Sequence, residues 1–464
     1  GRLFSTDGSV EKKRISYSSA SLGLAQDVAH LLLRLGITSQ LRSRGPRAHE
    51  VLISGREDIL RFAELIGPYL LGAKRERLAA LEAEARRRLP GQGWHLRLVL
   101  PAVAYRVSEA KRRSGFSWSE AGRRVAVAGS CLSSGLNLKL PRRYLSRHRL
   151  SLLGEAFADP GLEALAEGQV LWDPIVAVEP AGKARTFDLR VPPFANFVSE
   201  DLVVHNSMGK KKVEEMKSHR ERFVQGAKER GVPEEEANRL FDMLEAFANY
   251  GFNKCLPARA RVVDWCTGRV VRVGEIVRGE AKGVWVVSLD EARLRLVPRP
   301  VVAAFPSGKA QVYALRTATG RVLEATANHP VYTPEGWRPL GTLAPGDYVA
   351  LPRHLSYRPS LHLEGHELDL LGFALAEGHL RHPSGVYLYT SSEEELAAME
   401  EALRAFPNTR IRVVWRRGVA HVYVGRVDRR QEAGAVAFLR RMGLLGLDAK
   451  TKRLPEAVFG LPPE

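Results

Sequence analysis

Cysteine is the scarcest chemical resource in this 464-residue chain. Cys131, Cys255 and Cys266 are the three, and they form neither a CxxC pair nor a Cys/His cluster. That spacing argues against a structural zinc site, and a sparse, odd count suits a reducing cytoplasm, the compartment expected here. Cys131 and Cys266 read as small buried hydrophobes. Cys255 differs through its position alone. No run of about 18 apolar residues occurs, so no membrane span is expected. There is no initiator Met and no basic–apolar–small leader, and the start at Gly1-Arg2-Leu3 is expected of a fragment. Acidic residues are also short: 52 Asp and Glu face 70 Lys and Arg, a net charge of +18. The excess spans several segments, which favours DNA as a partner over a merely solvated surface. An apolar share of 45% allows several globular domains with sizeable cores.

The rest of the chain is arranged around residues 207–254, a 48-residue stretch. Val213–Lys228 has a helical pattern behind the basic Lys210-Lys211-Lys212. Gly231-Val232-Pro233-Glu234 opens a second helix, with a proline and acids in its first turn. Ala237, Leu240, Phe241, Leu244 and Phe247 then recur on one face. On its own this is an all-α hairpin with a solvated lysine run. To its left lies Val203-Val204-His205-Asn206, running into Ser207, and to its right Cys255-Leu256-Pro257.

Both flanks have the texture of short strands. Residues 168–206 alternate apolar and polar residues, with turns expected at Pro180-Ala181-Gly182 and Pro192-Pro193. Beyond Cys255 come Ala260–Asp264, Gly268–Val273, Val322–Thr333 with a Thr326-x-x-His329 motif, and Gly341–Val349. A lone His-Asn or TxxH means little. The full run from Thr186-Phe187-Asp188-Leu189 through Asn196-Phe197-Val198 to His205-Asn206-Ser207 resembles the C-terminal end of an intein. Ala195 stands where many inteins carry His. Cys255, then Thr326-x-x-His329 about seventy residues on, then Leu343-Ala344-Pro345-Gly346-Asp347-Tyr348-Val349, resembles the N-terminal half of an intein.

The resemblance implies two incomplete splicing elements of all-β, Hint-type fold. Cys255 would attack the Lys254 carbonyl through its thiolate, and Thr326 and His329 would polarise that peptide and protonate its nitrogen. The Asn206 side chain would cyclise and release Ser207, helped by His205, with Asp188 aiding proton transfer. The Ser207 hydroxyl would first accept an acyl group. No cofactor is needed for this, and the missing intein halves would be partners. A C-terminal half, a host segment and an N-terminal half also stand in the order that would join Ser207 to Lys254 if the halves complemented each other.

Near the chain start, Leu3-Phe4-Ser5-Thr6-Asp7-Gly8 precedes a strand at Arg14–Tyr17 and an amphipathic helix at Leu22–Leu35 stopped by Gly36. By spacing alone Asp7-Gly8 reads as a turn or as a carboxylate at a helix end. At the far end Leu368–Leu380 is an apolar helix running into Glu377-Gly378. Glu393–Ala405, Ile411–Trp415 with Ala420–Val424, and Ala435–Met442 follow. These two runs resemble the second and first repeats of LAGLIDADG homing endonucleases, with Glu377 where Asp is commoner. The resemblance implies α/β halves in which Asp7 and Glu377 hold Mg2+ for phosphodiester hydrolysis, with Lys452 as the basic residue. Between them, Ile59–Leu71 and Ala73–Leu89 read as helices. Residues 106–153, with Arg142, Arg143, Arg147 and Arg149, read as a helix-turn-helix or a basic packing domain.

Residues 207–254 resemble the fingers region of the bacterial DNA polymerase III alpha subunit, which implies lysines facing phosphates and, for the parent protein, other replicase subunits as partners. The polymerase's metal-binding carboxylates are not in this sequence. The expected organisation is a multidomain chain. An endonuclease repeat (1–50), a basic helical region (51–167) and a C-terminal splicing region (168–206) precede the polymerase segment (207–254). An N-terminal splicing region (255–355) and a further endonuclease repeat (356–464) follow it. The competing reading is a stand-alone DNA-binding protein or nuclease in which His205-Asn206-Ser207 is incidental.

Overall fold

The computed structural model describes the chain apart from residues 88–96, 99–100, 134–144, 207–210, 251–254, 383–384 and 463–464. The chain forms two compact units. One comprises 1–171, 266–269 and 353–464, the other 172–265 and 270–352. No described helix is long and apolar enough to cross a membrane.

The first unit contains one motif twice. Helix Arg2–Thr6, strands Gly8–Val10 and Ile15–Ser19, helix Leu22–Arg34, strands Gln40–Ser43 and His49–Ile53, and helix Arg56–Leu65 make the first copy. Helix Gly365–Glu377, strands Gly378–His379 and Val386–Thr390, helix Glu393–Arg404, strands Thr409–Arg416 and Val419–Arg426, and helix Gly434–Arg441 make the second. In each, the four antiparallel strands lie in the order first, second, fourth, third. The capping chemistry repeats as well: Ser21 Oγ accepts from Leu24 N, and Ser392 Oγ accepts from Glu395 N. Both helices bury an apolar stripe, Leu24, Ala25, Val28, Ala29, Leu32 and Leu33 in one and Met399, Ala402 and Leu403 in the other. Gly36 takes φ +69° directly after the first, as its helix-stop position requires.

The first helices of the two copies pack side by side. A Cβ on Gly372 would lie 2.6 Å from Arg2 Cβ, so only glycine admits this approach, and Arg2 Nε meets Asp369 Oδ1 at 2.7 Å across the seam.

The helix expected over Ile59–Leu71 ends at Leu65, and Gly67–Tyr69 forms a 3-10 turn. Pro68 has no backbone N–H with which to continue the α-helical ladder past this point. Ala73–Arg87 is helical with Leu78, Leu81 and Ala85 buried. In the basic region, helices Trp118–Arg124 and Gly129–Ser133 meet at a tight corner. Cβ atoms on Gly122 and Gly129 would lie 2.4 and 2.3 Å from the Val127 and Trp118 carbonyl oxygens. Arg142 and Arg143 lie outside the described residues. Arg147 is buried, donating to the carbonyls of Ala166 and Gly168 at 2.9 Å each, so it braces the fold rather than facing DNA. Cys131, expected to be buried, is exposed on a short helix, and Cys266 is half-buried.

The second unit is mainly β. One sheet runs Leu256–Pro257, Val170–Arg190, Ala303–Thr317, Val322–Thr326, with Tyr348–Pro352 also paired to Val170–Arg190. The other runs Gly336–Pro339, Pro330–Thr333, Leu202–His205, Asn196–Ser199. The expected turn at Pro180-Ala181-Gly182 is instead a bulge inside one 21-residue strand. Pairing shifts between Gln311↔Lys183 and Tyr313↔Pro180, and Gly182 absorbs the extra residue at φ +84°. Pro192-Pro193 does leave the strand, through a cis peptide. Lys211–Lys228 and Glu234–Tyr250 form the helical hairpin, with Phe223 and Phe241 rings 5.4 Å apart.

Reading in chain order assigned the two β flanks to separate elements. Their strands share both sheets: Leu256 pairs with Phe187, Ala304 with Leu189, and Val331 with Val204. Buried polar groups join them too. Asn196 Nδ2 donates to Leu289 O (2.9 Å) and its Oδ1 accepts from Leu289 N (2.6 Å). Glu200 holds Arg261 through its backbone N (2.8 Å) and guanidinium (2.8 Å). Each of these sheets thus takes strands from both flanks.

Candidate functional site

Each unit gathers one cluster of reactive side chains. In the second unit the cluster begins at Cys255, buried on a two-residue strand edge. Its backbone N donates to Thr326 Oγ1 at 3.0 Å, and Thr326 N donates to Cys255 O at 3.1 Å. Thr326 O then accepts from His329 N at 2.9 Å, and His329 is fully buried. Burial pushes the Cys255 thiol up to about 11. Hydrogen bonding by Ser307 opposes the rise, the Asp188 charge adds to it, and hydrogen bonding by Thr186 opposes it. The thiol is therefore protonated at neutral pH. A thiolate at this position forms only by loss of that proton against the burial.

Asp188 and Thr186 come from the left flank, while Ser307, Thr326 and His329 come from the right. Ser307 and Thr186 were not anticipated. A serine inside one long strand and a threonine inside another carry no sequence signal without the register.

His205 and Asn206 end the strand Leu202–His205. The His205 Nδ1 lies at hydrogen-bond distance from the Asn206 carbonyl oxygen, and its ring meets Trp337 edge-on at 4.8 Å. Asn206 is buried. Its Nδ2 donates to Ala195 O (2.9 Å) and its Oδ1 accepts from Val191 N (3.0 Å), with the amide oriented by this network. Asn206 N also donates to Ala195 O at 2.8 Å. Ala195, which replaces the expected His, sits at φ +55° and contributes its carbonyl rather than a side chain. Ser207 lies outside the described residues.

In the first unit, Asp7 and Glu377 end the paired helices, and each precedes a glycine. A Cβ on Gly8 or Gly378 would lie 2.3 Å from the carbonyl oxygen four residues earlier, Phe4 or Ala374. Glycine is thus what lets the chain turn from helix to strand beside each acid. Burial raises Glu377 to about 7, with the Asp7 and Glu395 charges adding to the rise. Asp7 is raised by burial, against the pull of Lys452 and Lys74. Lys452 is buried and held down at about 8 by that burial, against the acids. Its Nζ donates to Gly378 O at 2.9 Å.

Lys74 does the same for the other helix end, donating to Thr6 O at 2.6 Å and to Ser5 O. Cations over terminal carbonyls suit the helix dipole. In the sequence Lys74 and Glu395 stood only as residues of the helical segments Ala73–Leu89 and Glu393–Ala405. Both were missed because their partners are nearly 70 and 18 or more residues away in sequence. Among the described residues no cluster of three or more His, Cys, Asp or Glu is poised for a metal.

The second-copy sheet presents a basic, aromatic face. Tyr387 and Tyr389 stack, Tyr387 lies 5.0 Å from Tyr423, and Tyr389 meets His421 at 5.0 Å. Arg412, exposed, pairs opposite Tyr423.

Comparison with known proteins agrees with the first-unit geometry. The chain is 37% identical over 220 residues to the replicative DNA helicase DnaB of Rhodothermus marinus, covering 44% of this chain and 22% of the helicase. It is 68% identical over 73 residues to the DNA polymerase III subunit alpha of Thermus aquaticus, covering 16% of this chain and 6% of the polymerase. It is 35% identical over 127 residues to the protein RecA of Mycobacterium tuberculosis, covering 27% and 16%. The chain therefore spans less than a quarter of each of these relatives. Residues 1–67 match the LAGLIDADG-like domain, and Asp7 lies within the match.

Proposed function

We propose that this chain is a piece of a DNA polymerase III alpha precursor in which residues 207–254 are host protein and the flanks act in autocatalytic protein splicing. The observation that carries the reading is the pair of hydrogen bonds between Cys255 and Thr326, Cys255 N to Thr326 Oγ1 and Thr326 N to Cys255 O, beside Asp188. Similarity to a helicase, a polymerase and RecA supports it, because those names share no single activity and a recurring insertion would explain the matches.

Thr326 Oγ1 accepts the Cys255 N–H, which orients the Lys254–Cys255 peptide for attack by the thiol. As the C–S bond forms, the C–N bond breaks and the amine takes a proton, which buried His329 is suited to deliver. At the other junction, Asn206 Nδ2 attacks its own carbonyl carbon and releases the Ser207 amine. His205, beside the Asn206 carbonyl oxygen, steadies the charge that develops there.

The endonuclease unit would hydrolyse DNA phosphodiesters. Two carboxyls both raised by burial, with the Asp7 charge adding to the rise at Glu377, form a site suited to a cation, and Mg2+ needs only one or two of them besides water. Asp7 and Glu377 would hold it, and the ion would supply Lewis acidity and an activated water. Lys452 and Lys74 position the helix ends that carry the acids, and the Tyr387–Arg412 face suits a DNA backbone. Other replicase subunits are partners of the intact parent polymerase.

The intact mass of the chain after incubation with and without thiol tests the reading. Breaks at Asn206/Ser207 and Lys254/Cys255 are expected, and Asn206→Ala should abolish the first. Unchanged release in Asn206→Ala would favour the stand-alone nuclease instead.

A further inference from the structure

We infer that the helices Trp118–Arg124 and Gly129–Ser133 are a helix-turn-helix that takes double-stranded DNA, a contact made by other residues than the Asp7–Glu377 pair or the Tyr387–Arg412 face. The sequence leaves residues 106–153 open between a helix-turn-helix and a basic packing domain. Local geometry and the exposure of the cations separate the two.

The first helix opens on a capping box, with Ser117 N donating to Glu120 Oε2 (2.7 Å) and Glu120 N to Ser117 Oγ (3.2 Å). Four residues join it to the second helix, the connection length of a helix-turn-helix. Ala126, inside that connection, takes φ +53°, and Val127 N donates back to Gly122 O at 2.9 Å. Gly122 and Gly129 leave no room for a Cβ at the corner, which would lie 2.4 and 2.3 Å from backbone oxygens, so the helices meet backbone to backbone. Ala121, Val125 and Leu132 are buried. The Trp118 ring meets Phe157 edge-on at 5.7 Å, which seats the pair on the helix Arg147–Phe157. The corner is therefore a rigid platform.

Residues 101–133 carry six Lys and Arg against two Glu. A packing domain would bury such cations, as the fold does with Arg147. Arg106, Arg112, Arg123 and Arg124 are instead exposed. Two cations are steered by rings: the Arg124 guanidinium lies 4.7 Å from the Phe116 centroid and Lys111 Nζ 5.6 Å from that of Trp118. On the second helix Leu132 turns inward, while Ser130 and Cys131 are exposed. A serine hydroxyl both donates and accepts, so it suits base edges, and the arginines suit phosphates. Duplex DNA offers the two together, as base edges set between regular phosphate rows.

The test uses the full chain carrying Asn206→Ala and Cys255→Ala, so that no peptide bond breaks, and omits Mg2+, so that no DNA is cut. Duplexes bound from a random-sequence pool are sequenced and footprinted, and affinity is followed from about 50 to 200 mM salt. Ser130→Glu should shorten the protected tract at one end by about half a helical turn, roughly 5 base pairs, and lower affinity for the selected duplex about 10- to 100-fold. Arg112→Ala with Arg123→Ala should weaken selected and unrelated duplexes alike and flatten the slope of log affinity against log salt by about 2. All three positions are exposed, so the variants should melt with the parent. If Ser130→Glu melts early, the arginine pair decides alone.

An unchanged footprint in a stable Ser130→Glu, or an unchanged slope in the arginine pair, would overturn the inference and leave the endonuclease reading standing. Equal competition by single-stranded DNA or RNA of the selected sequence would also overturn it. No duplex bound by the parent would overturn both.

Discussion

Glu377 offers a sharp test of how the first unit is built. Its carboxyl is moved from 4.5 to about 7, by burial first and then by the Asp7 and Glu395 charges. At 1.36 kcal/mol per pH unit this corresponds to about 3 kcal/mol, and solvent screening at a half-buried position reduces it to about 1–2 kcal/mol. The sign follows from proton uptake. Between 4.5 and about 7 the folded state binds more protons at this group than the unfolded chain does, so its contribution to stability is full below 4.5 and is lost as pH rises through 7. Glu377→Gln removes the ionisation and keeps the shape. The variant should gain stability relative to the parent as pH rises from 4.5 to 8, by about 2–6 °C in Tm of the unit. Millimolar Mg2+ should recover the same increment in the parent at pH 8 and not in the variant, since the ion would offset the repulsion that Gln has already removed. Differential scanning calorimetry across pH, with and without Mg2+, reads both effects; Asn206→Ala, Cys255→Ala serves as background for parent and variant so that no bond breaks. Parallel pH profiles for parent and variant would refute the reasoning.

Thr326→Ala removes the acceptor for the Cys255 N–H (3.0 Å) and should slow thiol-induced cleavage at Lys254/Cys255 by about 10- to 100-fold, followed by mass spectrometry, with Asn206 release unchanged. Because burial holds the Cys255 thiol up to about 11, the rate of that cleavage should keep rising by about tenfold per unit from pH 7 to 9. A plateau below pH 9 would contradict the burial argument. Gly8→Ala places a Cβ 2.3 Å from Phe4 O and should displace Asp7, costing about 1–3 kcal/mol by calorimetry and abolishing Mg2+-dependent DNA cleavage.

The sequence alone determined the local grammar. Leu22–Arg34 was legible because its apolar residues recur at helical spacing between a serine cap and a glycine stop. At Asp7-Gly8 spacing alone left a turn or a helix end open, and the resemblance to LAGLIDADG repeats singled out Asp7 and Glu377; the close approach of Phe4 O and Ala374 O that requires each glycine is visible only in the fold. Cys255, Thr326, His329, His205 and Asn206 could be named because the order of motifs along both flanks resembles that of inteins.

Tertiary structure decided what those pieces join. The continuous strand through Pro180-Ala181-Gly182 depends on a bulge against Tyr313, far away in sequence, so local turn chemistry gave the wrong element. Glu395 became a neighbour of Asp7 only when two distant copies of one motif packed together, and Lys74 when the helix Ala73–Arg87 folded back onto the end of Arg2–Thr6. Above all, chain order suggests two separate β elements, while strand pairing closes them into shared sheets. A strand edge is satisfied by whichever backbone hydrogen-bonds to it, and the sequence carries no mark of which one that will be.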